Sequence, residues 1–463
     1  MRNNFFKFLI FIVTIGIFSS CLWDDDEETE LSNNPNFVSL QFSKNDSIPG
    51  LDGAVFTFTY DSIVGDSIIV NLDSLPYLTR IDSVFPTFTF RSTYATYLVL
   101  TDSLGTGLDS IGLSGKDTVD FTKVLYVTNI AQDKVTERTY KIKVNVHQVQ
   151  PELYQWQMKK SQIYTHSGSV QQAVFFQNKF FFYVSSGVNN YLYTSVDAVN
   201  WANATVTGLP PYSNLRDITA FNNKLYLVHE DGRIFSTGDG ITWTNTDPGV
   251  AGYTIHNLLF ALENNLWSVF QQQANQQYYF ATSADGIAWQ IEDALPAKFP
   301  IVDFAALSFQ SRTKKPKAIV VGGYAPNGEL LSSVWSVQKN IYNEYKWVNF
   351  AINKSTLGPL AGASVIPYDD KLLMFGGMDI NDNIVDTAYM ESIDEGLSWR
   401  STDTLYNVIE DLNIPLSYQP RSFQSVIHDE TNHYIYLIGG RTKNQVFSDV
   451  WVGKLNRLSF LRQ

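Results

Sequence analysis

Short segments of alternating apolar and polar residues recur along most of the chain, whereas long helical periodicity is almost absent. Residues 55–60 and 139–146 alternate with a period of two, which predicts strands with one buried face. Gly, Asn, Asp and Pro separate such segments, and these residue types favour turns. The pattern therefore predicts an all-β protein.

Residues 37–147 form a first predicted domain of short strands. In its clearest part, residues 124–128 and 139–146 flank the polar turn Gln132-Asp133-Lys134. This length and strand density fit a small β-sandwich. The hairpin resembles the last hairpin of Ig-like domains that precede functional modules in Bacteroidota surface proteins. That resemblance implies an Ig-like β-sandwich serving as a spacer.

Residues 151–463 contain a sixfold repeat of two apolar strands joined by a tight polar turn. An aromatic residue follows each hairpin, and the intervals between these aromatics are 42, 46, 58, 52 and 61 residues. Four-stranded propeller blades need about this length, so the repeat predicts a six-bladed β-propeller. The turns are Gln177-Asn178, Asn222-Asn223, Asn264-Asn265, Lys314-Lys315, Asp369-Asp370 and Thr431-Asn432, and the aromatics are Trp201, Trp243, Trp289, Trp347, Trp399 and Phe460.

Two turn signatures accompany the repeat. The segment with Ser392, Asp394, Gly396 and Trp399 resembles the Asp box of sialidase-like propellers, and looser copies end at Trp201, Trp243 and Trp289. Its predicted role is structural, because Asp and Ser can bond the turn backbone, Gly permits a positive φ and Trp packs between blades. Three glycine pairs that each precede an aromatic resemble kelch blades: Gly322-Gly323, Gly376-Gly377 and Gly439-Gly440.

Closure of the ring has two possible solutions in the sequence. Residues 153–157 resemble the outer strand of the other blades and lack a hairpin before them. They can complete the last blade, but residues 458–461 compete for the same edge.

The amino terminus has the features of a targeting signal. A basic start and an apolar run over residues 8–18 precede the single cysteine of the chain, Cys21. Phe18-Ser19-Ser20-Cys21 resembles the bacterial lipobox, which implies a lipoprotein signal peptide over residues 1–20 and acylation of Cys21. An ordinary secretory signal with a chance cysteine is the alternative.

Residues 21–36 carry six acidic residues and several polar ones, so we expect a disordered tether. The run resembles the acidic signal that follows the lipidated cysteine in surface-exposed Bacteroidota lipoproteins. A merely solvated spacer is the alternative.

Charge and composition exclude several classes of function. The chain has 33 basic and 46 acidic residues, a formal net charge of -13, and no basic patch, which argues against nucleic acid as a partner. One cysteine cannot form an intrachain disulfide. The six histidines lack metal-ligand spacing, and no phosphate-binding glycine loop occurs. We therefore expect no metal and no cofactor.

As a whole, the chain resembles a family of uncharacterised Bacteroidota lipoproteins that carry a domain of unknown function. The resemblance rests on the order of lipobox, acidic tether, Ig-like domain and kelch/Asp-box propeller. It implies a lipid-anchored protein of the outer membrane that faces the cell exterior. It implies no particular activity, because propellers serve many functions.

Enzymatic and binding functions make different demands on the residues. A sialidase needs an arginine motif that is missing here, and the sequence does not place the carboxylates Asp217, Asp303 and Glu410 closely enough to predict a glycosidase. Binding requires aromatic and polar residues in the loops on one face of the propeller. These candidates are Tyr212, Arg216, Tyr253, His256, Tyr418 and Arg421.

The residues therefore favour a non-catalytic surface module that binds a glycan or an outer-membrane protein, with no catalytic residue assigned. A structural or assembly role in an outer-membrane complex is the alternative, and a glycoside-active enzyme is the third possibility.

The lipobox predicts that Cys21 carries the lipid. Metabolic labelling with palmitate should mark the wild-type protein and fail to mark Cys21→Ala, because the thiol is the acylated group. Protease treatment of whole cells should remove the wild-type protein if it faces outward. A Cys21→Ala protein that still incorporates palmitate would contradict the assignment.

Overall fold

The computed structural model describes residues 30–61, 65–101, 107–113, 117–123, 125–150, 153–166, 170–350, 357–385, 389–401, 409–411 and 416–456. Cys21, the predicted signal peptide and Phe460 lie outside these residues. The chain divides at residue 150 into two compact units. In the described residues, all regular structure is β-strand or short 3₁₀ helix, and no helix there is long and apolar enough to cross a bilayer.

The first unit is all-β. A six-stranded sheet has the order β2-β3-β8-β7-β5-β6, and β1 pairs with β4 in a second, two-stranded sheet. The predicted hairpin is present as β7 and β8, with Leu125 opposite Ile142. The strands are β1 (Phe37–Phe42), β2 (Phe56–Asp61), β3 (Asp66–Asn71), β4 (Pro86–Phe90), β5 (Ala95–Thr101), β6 (Gly107–Gly112), β7 (Leu125–Ile130) and β8 (Glu137–Lys143), with a 3₁₀ helix at Leu51–Gly53.

One apolar core joins the two sheets of this unit. Leu40 and Phe42 of β1 belong to the same buried cluster as Leu125 and Val127 of β7. These residues alternate along their strands with more exposed ones, so each strand presents one apolar face to the core. The hydroxyl oxygen of Tyr140 also accepts the N–H of Phe37 at 2.9 Å.

The second unit contains six sheets, of which the first five are antiparallel with their strands in sequence order. In the sixth sheet one pair of neighbouring strands is parallel. Sheets 1 to 5 have four strands each: β10–β13, β14–β17, β18–β21, β22–β25 and β26–β29. Sheet 6 has six strands in the order β31-β30-β9-β34-β33-β32. The bounds are β9 (Tyr154–Lys160), β10 (Val170–Phe176), β11 (Lys179–Ser185), β12 (Asn190–Ser195), β13 (Ala202–Ala204), β14 (Thr219–Phe221), β15 (Lys224–Val228), β16 (Ile234–Thr237), β17 (Thr244–Thr246), β18 (Tyr253–Leu262), β19 (Asn265–Gln272), β20 (Tyr278–Ser283), β21 (Gln290–Ala294), β22 (Ala305–Gln310), β23 (Pro316–Val321), β24 (Val334–Lys339), β25 (Tyr345–Asn349), β26 (Ala361–Tyr368), β27 (Lys371–Met378), β28 (Tyr389–Ser392), β29 (Arg400–Ser401), β30 (Glu410–Asp411), β31 (Leu416–Ser417), β32 (Ser425–Asp429), β33 (Tyr434–Ile438) and β34 (Val450–Leu455), with a 3₁₀ helix at Leu215–Asp217.

Three of the six hairpin turns lie at the predicted pair, one is shifted by one residue, and two are longer loops, residues 311–315 and 430–433, that contain the predicted pair. Both residues of Gln177-Asn178, Asn222-Asn223 and Asp369-Asp370 have positive φ, as a tight hairpin turn requires. In sheet 3 the turn comes one residue earlier than predicted, at Glu263 and Asn264, because Asn265 already pairs with Leu262 in the ladder.

The first strand of the second unit closes sheet 6. β9 pairs antiparallel with β34, so the segment beginning near residue 153 supplies an outer strand to the last sheet. Trp156 lies opposite Gly453, and a Cβ on this glycine would come within 2.4 Å of the tryptophan ring. Two segments about 300 residues apart in sequence thus form one sheet.

Six buried apolar clusters join the sheets in a circle. Each cluster combines residues from two consecutive sheets, and the sixth joins sheet 6 to sheet 1 through Ile438, Val450, Phe180 and Phe182. Both faces of every sheet are therefore buried against a neighbour. This is the packing of a β-propeller.

Aspartate turns connect the third and fourth strands of four sheets, at Asp197, Asp239, Asp285 and Asp394. In the first three, one carboxylate oxygen accepts two successive backbone N–H groups at 2.8–2.9 Å. In the fourth, Asp394 accepts the N–H of Ser398 at 2.8 Å, and Ser392 accepts the N–H of Gly396 at 2.8 Å. Backbone bonds from residues such as Thr242 hold the pKa of Asp239 at about 2.

The tryptophans after these turns differ in burial. Trp243 and Trp399 are buried between neighbouring sheets, as predicted. Trp201 and Trp289 are only partly buried. Trp289 still packs against Phe270 with a centroid distance of 5.4 Å.

The glycine pairs permit close approach between sheets. Gly322 has a φ of +61°, and a Cβ there would lie 2.4 Å from the carbonyl oxygen of Leu360. Gly376 has a φ of +69°, and its Cβ would lie 2.1 Å from the carbonyl oxygen of Arg421. Any larger residue would push the next sheet away.

We expect Trp399→Ala to destabilise the propeller by about 3–5 kcal/mol, because it removes a buried ring from an intersheet cluster. Asp394→Ala should cost about 1–3 kcal/mol through lost turn hydrogen bonds. Nine of the ten tryptophans lie in the second unit, so tryptophan fluorescence in a denaturant titration reports its unfolding. The exposed Lys346→Ala is the control, and variants that unfold like wild type would contradict this packing.

Candidate functional site

A cavity of about 270 Å³ lies where the innermost strands of the six sheets meet. Every sheet contributes to its lining, with residues from β10, β14, β18, β22, β26 and β32. Such an axial channel is where propellers bring the loops of many sheets together. The polar and charged lining residues include Gln172, Asn214, Arg216, Asp217, His256 and Asp303.

An ion pair lies at the channel mouth. Arg216 belongs to the 3₁₀ helix before β14, which the buried side chain of Leu215 holds against sheets 1 and 2. Asp303 precedes β22, 87 residues later in sequence. Arg216 Nη1 donates to Asp303 Oδ1 at 2.5 Å, and both side chains are about one-fifth exposed.

Phe423 forms an aromatic surface beside this pair. The guanidinium of Arg216 lies 3.7 Å from the centroid of the Phe423 ring, and that of Arg441 lies 4.7 Å from it. Cation–π contacts of this kind contribute about 0.5–2 kcal/mol each. The mouth therefore consists of one aromatic ring with two arginines around it.

The backbone fixes the position of this ring. Phe423 donates its N–H to the carbonyl oxygen of Gly362 at 2.7 Å, and Gly362 donates its N–H to the carbonyl oxygen of Asp303 at 2.9 Å. All three residues have positive φ. A Cβ on Gly362 would lie 2.6 Å from the Phe423 ring, so glycine is required there.

Asp217 has an unusual environment for a carboxylate. Burial and the neighbouring charge of Asp303 together raise its pKa to about 7, although the charge of Arg216 opposes this shift. Its hydrogen-bond donor is the amide of Asn214, at 3.5 Å. Burial also lowers the pKa of His256, which is therefore neutral near pH 7.

Several polar nitrogen atoms at the mouth have no hydrogen-bond partner among the residues that the structure describes. The buried Nε atoms of Arg216 and Arg441 and the Nδ1 atom of His256 make no hydrogen bond there. Unsatisfied buried polar atoms are rare in folded proteins and call for an explanation such as a ligand or water.

Comparison with known families was decisive for assignment. A family model described as the DUF6242 beta propeller domain matches residues 150–463, and that of the DUF6242 N-terminal domain matches residues 32–144. The chain belongs to the DUF6242 family. The channel mouth described above therefore lies in the DUF6242 β-propeller domain.

Solved structures resemble the DUF6242 chain only distantly. The structure of YjhT is 12% identical, with 62% of this chain and 95% of that chain covered and a TM-score of 0.42. YCF48 bound to D1 peptide is 13% identical, with coverage of 66% and 98% and a TM-score of 0.35. An α-L-arabinanase of Penicillium chrysogenum complexed with arabinobiose is 11% identical, with coverage of 66% and 99% and a TM-score of 0.38. Among curated proteins, none matches the chain.

Two of the six predicted binding residues, Arg216 and His256, line the channel of the DUF6242 propeller. Tyr212 is 63% exposed but does not line the cavity, and its N–H donates to Gly187 at 2.7 Å. Tyr253 packs edge-on against Tyr279 with a centroid distance of 5.6 Å, away from the channel lining.

The prediction of Tyr418 and Arg421 as binding residues is wrong. The guanidinium of Arg421 is 2% exposed and pairs with Asp449 at 2.5 Å, while its face covers the rings of Tyr418 and Phe447. Tyr418 is also buried, and its hydroxyl bonds Gln424. Both residues hold sheet 6 together internally, so a ligand cannot reach them.

The structure brings together two of the three carboxylates considered for glycosidase chemistry, Asp217 and Asp303. The side chain of Glu410 lies outside the described residues. Sequence reasoning missed Phe423 and Arg441 as members of the site. The glycine pair directly before Arg441 was the available signal, because such a pair marks a loop on the channel face.

A second cavity, of about 280 Å³, is lined by hairpin loops of sheets 4, 5 and 6 and by Glu395 in the fourth aspartate turn. Two of its charged side chains form ion pairs, Glu395 with Lys317 at 2.8 Å and Lys371 with Glu391 at 3.1 Å. Among the described residues, no three His, Cys, Asp or Glu side chains form a group that could hold a metal ion. All six sheets line the first cavity and three line the second, so we take the channel mouth as the candidate site.

Asp217→Asn should stabilise the protein at pH 8 and have little effect near pH 4. Neutral Asp217 makes its full contribution to the stability of the folded protein at a pH below the pKa that this group has in the unfolded chain. The contribution is lost as the pH rises through the folded-state pKa of about 7. Melting temperatures of both proteins across this range test the sign. The exposed Asp293→Asn is the control, and a pH-independent difference between wild type and Asp217→Asn would contradict the raised pKa.

Proposed function

We propose that this protein is an outer-membrane lipoprotein, anchored through Cys21 and facing the cell exterior, whose propeller binds a ligand without chemical conversion. The six sheets act as the blades of a six-bladed kelch/Asp-box-like propeller, and the first unit is an Ig-like spacer. The lipobox-like segment and the acidic run support the location. The six intersheet clusters support the blade count.

The observation that carries the binding function is the channel mouth itself. It combines an aromatic ring, two arginines and unpartnered donors at a cavity of about 270 Å³. An aromatic ring beside hydrogen-bonding groups suits a sugar, since the ring contacts C–H groups while its neighbours bond hydroxyls. The volume suits one sugar residue better than a protein surface, so we favour a glycan over an outer-membrane protein partner.

The ion pair at the mouth favours binding over catalysis. Asp303 is paired with Arg216 at 2.5 Å, and this ion pair occupies an oxygen that a nucleophile would need. A glycosidase nevertheless requires two carboxylates with different protonation states, and the raised pKa of Asp217 beside Asp303 provides such a difference. Glycoside hydrolysis is therefore the second candidate function.

A glycan array and a pull-down from outer membranes, both with the purified full-length protein, test the proposal. We expect a glycan to bind, and Phe423→Leu to weaken it about threefold to tenfold, because an aromatic contact contributes about 0.5–1.5 kcal/mol. Tyr253→Leu, which changes an aromatic residue outside the channel lining, is the matched control.

Each other result has a defined meaning. A protein partner without any glycan would favour the assembly role. Turnover of an arrayed glycan that is lost in Asp217→Asn would establish hydrolysis and overturn the non-catalytic proposal. A glycan whose binding responds to Tyr253→Leu and not to Phe423→Leu would place the site elsewhere.

A further inference from the structure

The channel mouth carries one cation that has no carboxylate partner. Arg216 is paired with Asp303, whereas the guanidinium of Arg441 makes no ion pair or hydrogen bond with any residue that the structure describes. Among the described residues, the guanidinium makes a cation–π contact with the ring of Phe423, whose centroid lies 4.7 Å away. An arginine without an anionic partner beside a cavity is suited to receive a ligand's negative charge.

The two arginines also act on each other. Both guanidinium groups lie over the same Phe423 ring, and the charge of Arg441 lowers the pKa of Arg216 beyond the effect of burial. Asp303 compensates one of these charges. A singly charged anion at the mouth would compensate the other and relieve their repulsion.

The size and lining of the cavity limit what this anion can be. About 270 Å³ accommodates a small group, and amides of Asn214 and Gln172 are available in the lining for hydroxyl groups. Asp217 and Asp303 lie in the same cavity and would repel a doubly charged phosphate more strongly than a single charge. A carboxylate carries one charge and matches the planar N–H edge of a guanidinium.

We propose that the channel mouth binds an acidic saccharide, whose carboxylate pairs with Arg441 beside Arg216 while its ring contacts Phe423. This inference rests on the proposed glycan-binding function and specifies its ligand class. Neutral sugars, sulfated sugars and acidic peptides are the competing occupants.

The protonation of Asp217 adds a second, separate readout. The charged and titratable groups that line the cavity with it are Arg216 on the same 3₁₀ helix, His256 from β18 and Asp303 before β22. Arg441, after β33, acts on the charge of Arg216. When Asp217 ionises, a negative charge is added to the cavity and opposes an anionic ligand. Affinity for an acidic sugar should therefore fall as the pH rises from 6 to 8, and Asp217→Asn should flatten this dependence.

Isothermal titration calorimetry of the full-length protein with matched sugars tests the ligand class. The probes are glucuronic acid with glucose, galacturonic acid with galactose, and N-acetylneuraminic acid with its methyl ester. Galactose 6-sulfate and an N-acetylated, amidated aspartate provide the other two anions. We expect at least one acidic sugar to bind about tenfold or more tightly than its neutral counterpart, as expected for a charge-assisted pair.

Variants of Arg441 test whether the preference for the acidic sugar arises at the channel mouth. Arg441→Gln should remove most of the preference for the acidic sugar, and Arg441→Lys, which keeps the charge but not the planar edge, should retain part of it. Arg233→Gln alters an arginine already paired with Asp231 and is the control. Melting temperatures of all variants separate a binding defect from unfolding.

The outcomes distinguish this inference from the function on which it rests. Equal binding of neutral and acidic sugars would overturn the acidic class and leave glycan binding intact. Tighter binding of the sulfated sugar or of the aspartate derivative would overturn the acidic saccharide as the ligand class and indicate a sulfated sugar or an acidic peptide instead. Absence of binding to every sugar would overturn both proposals.

Discussion

Mutual burial of neighbouring sheets is the constraint on which the second unit depends. Each of the six apolar clusters contains residues from two consecutive sheets, so both faces of every sheet are buried against a neighbouring sheet. The circle is completed only when β9 pairs with β34. With one cysteine in the chain, no intrachain disulfide assists this closure, so packing and strand pairing carry it alone.

The channel mouth is a consequence of the same packing. Glycines such as Gly376 let the backbone of one sheet approach the next, and this approach brings the entry segments of sheets 4, 5 and 6 into direct hydrogen-bond contact. Asp303, Gly362 and Phe423 occupy corresponding positions before or within the first strands of these sheets. The structural pattern is shared, and the side chains at these positions differ.

Two arginines of the propeller differ in how their charges are compensated. Arg421 is enclosed by Tyr418, Phe447 and Asp449, so its charge is fully compensated inside sheet 6. Arg441 lies on the next glycine-pair loop and has an aromatic contact but no carboxylate among the described residues. The first arginine stabilises the blade, while the second leaves a positive charge available at the channel.

The sequence by itself determined the strand content, the repeat and most of the turns. These features depend on residues close together in the chain, such as the alternation along β8 and the paired asparagines at 222 and 223, whose positive φ a short segment can specify. It also marked Arg216 and His256, since the repeat predicts that they lie on the same face of the propeller. Tertiary structure alone decided which loop residues meet. Arg216, Asp303 and Phe423 come from three sheets, and the burial of Tyr418 and Arg421 depends on partners such as Gln424 and Asp449. Contacts between distant segments follow from how all the sheets pack, and local periodicity carries no information about them.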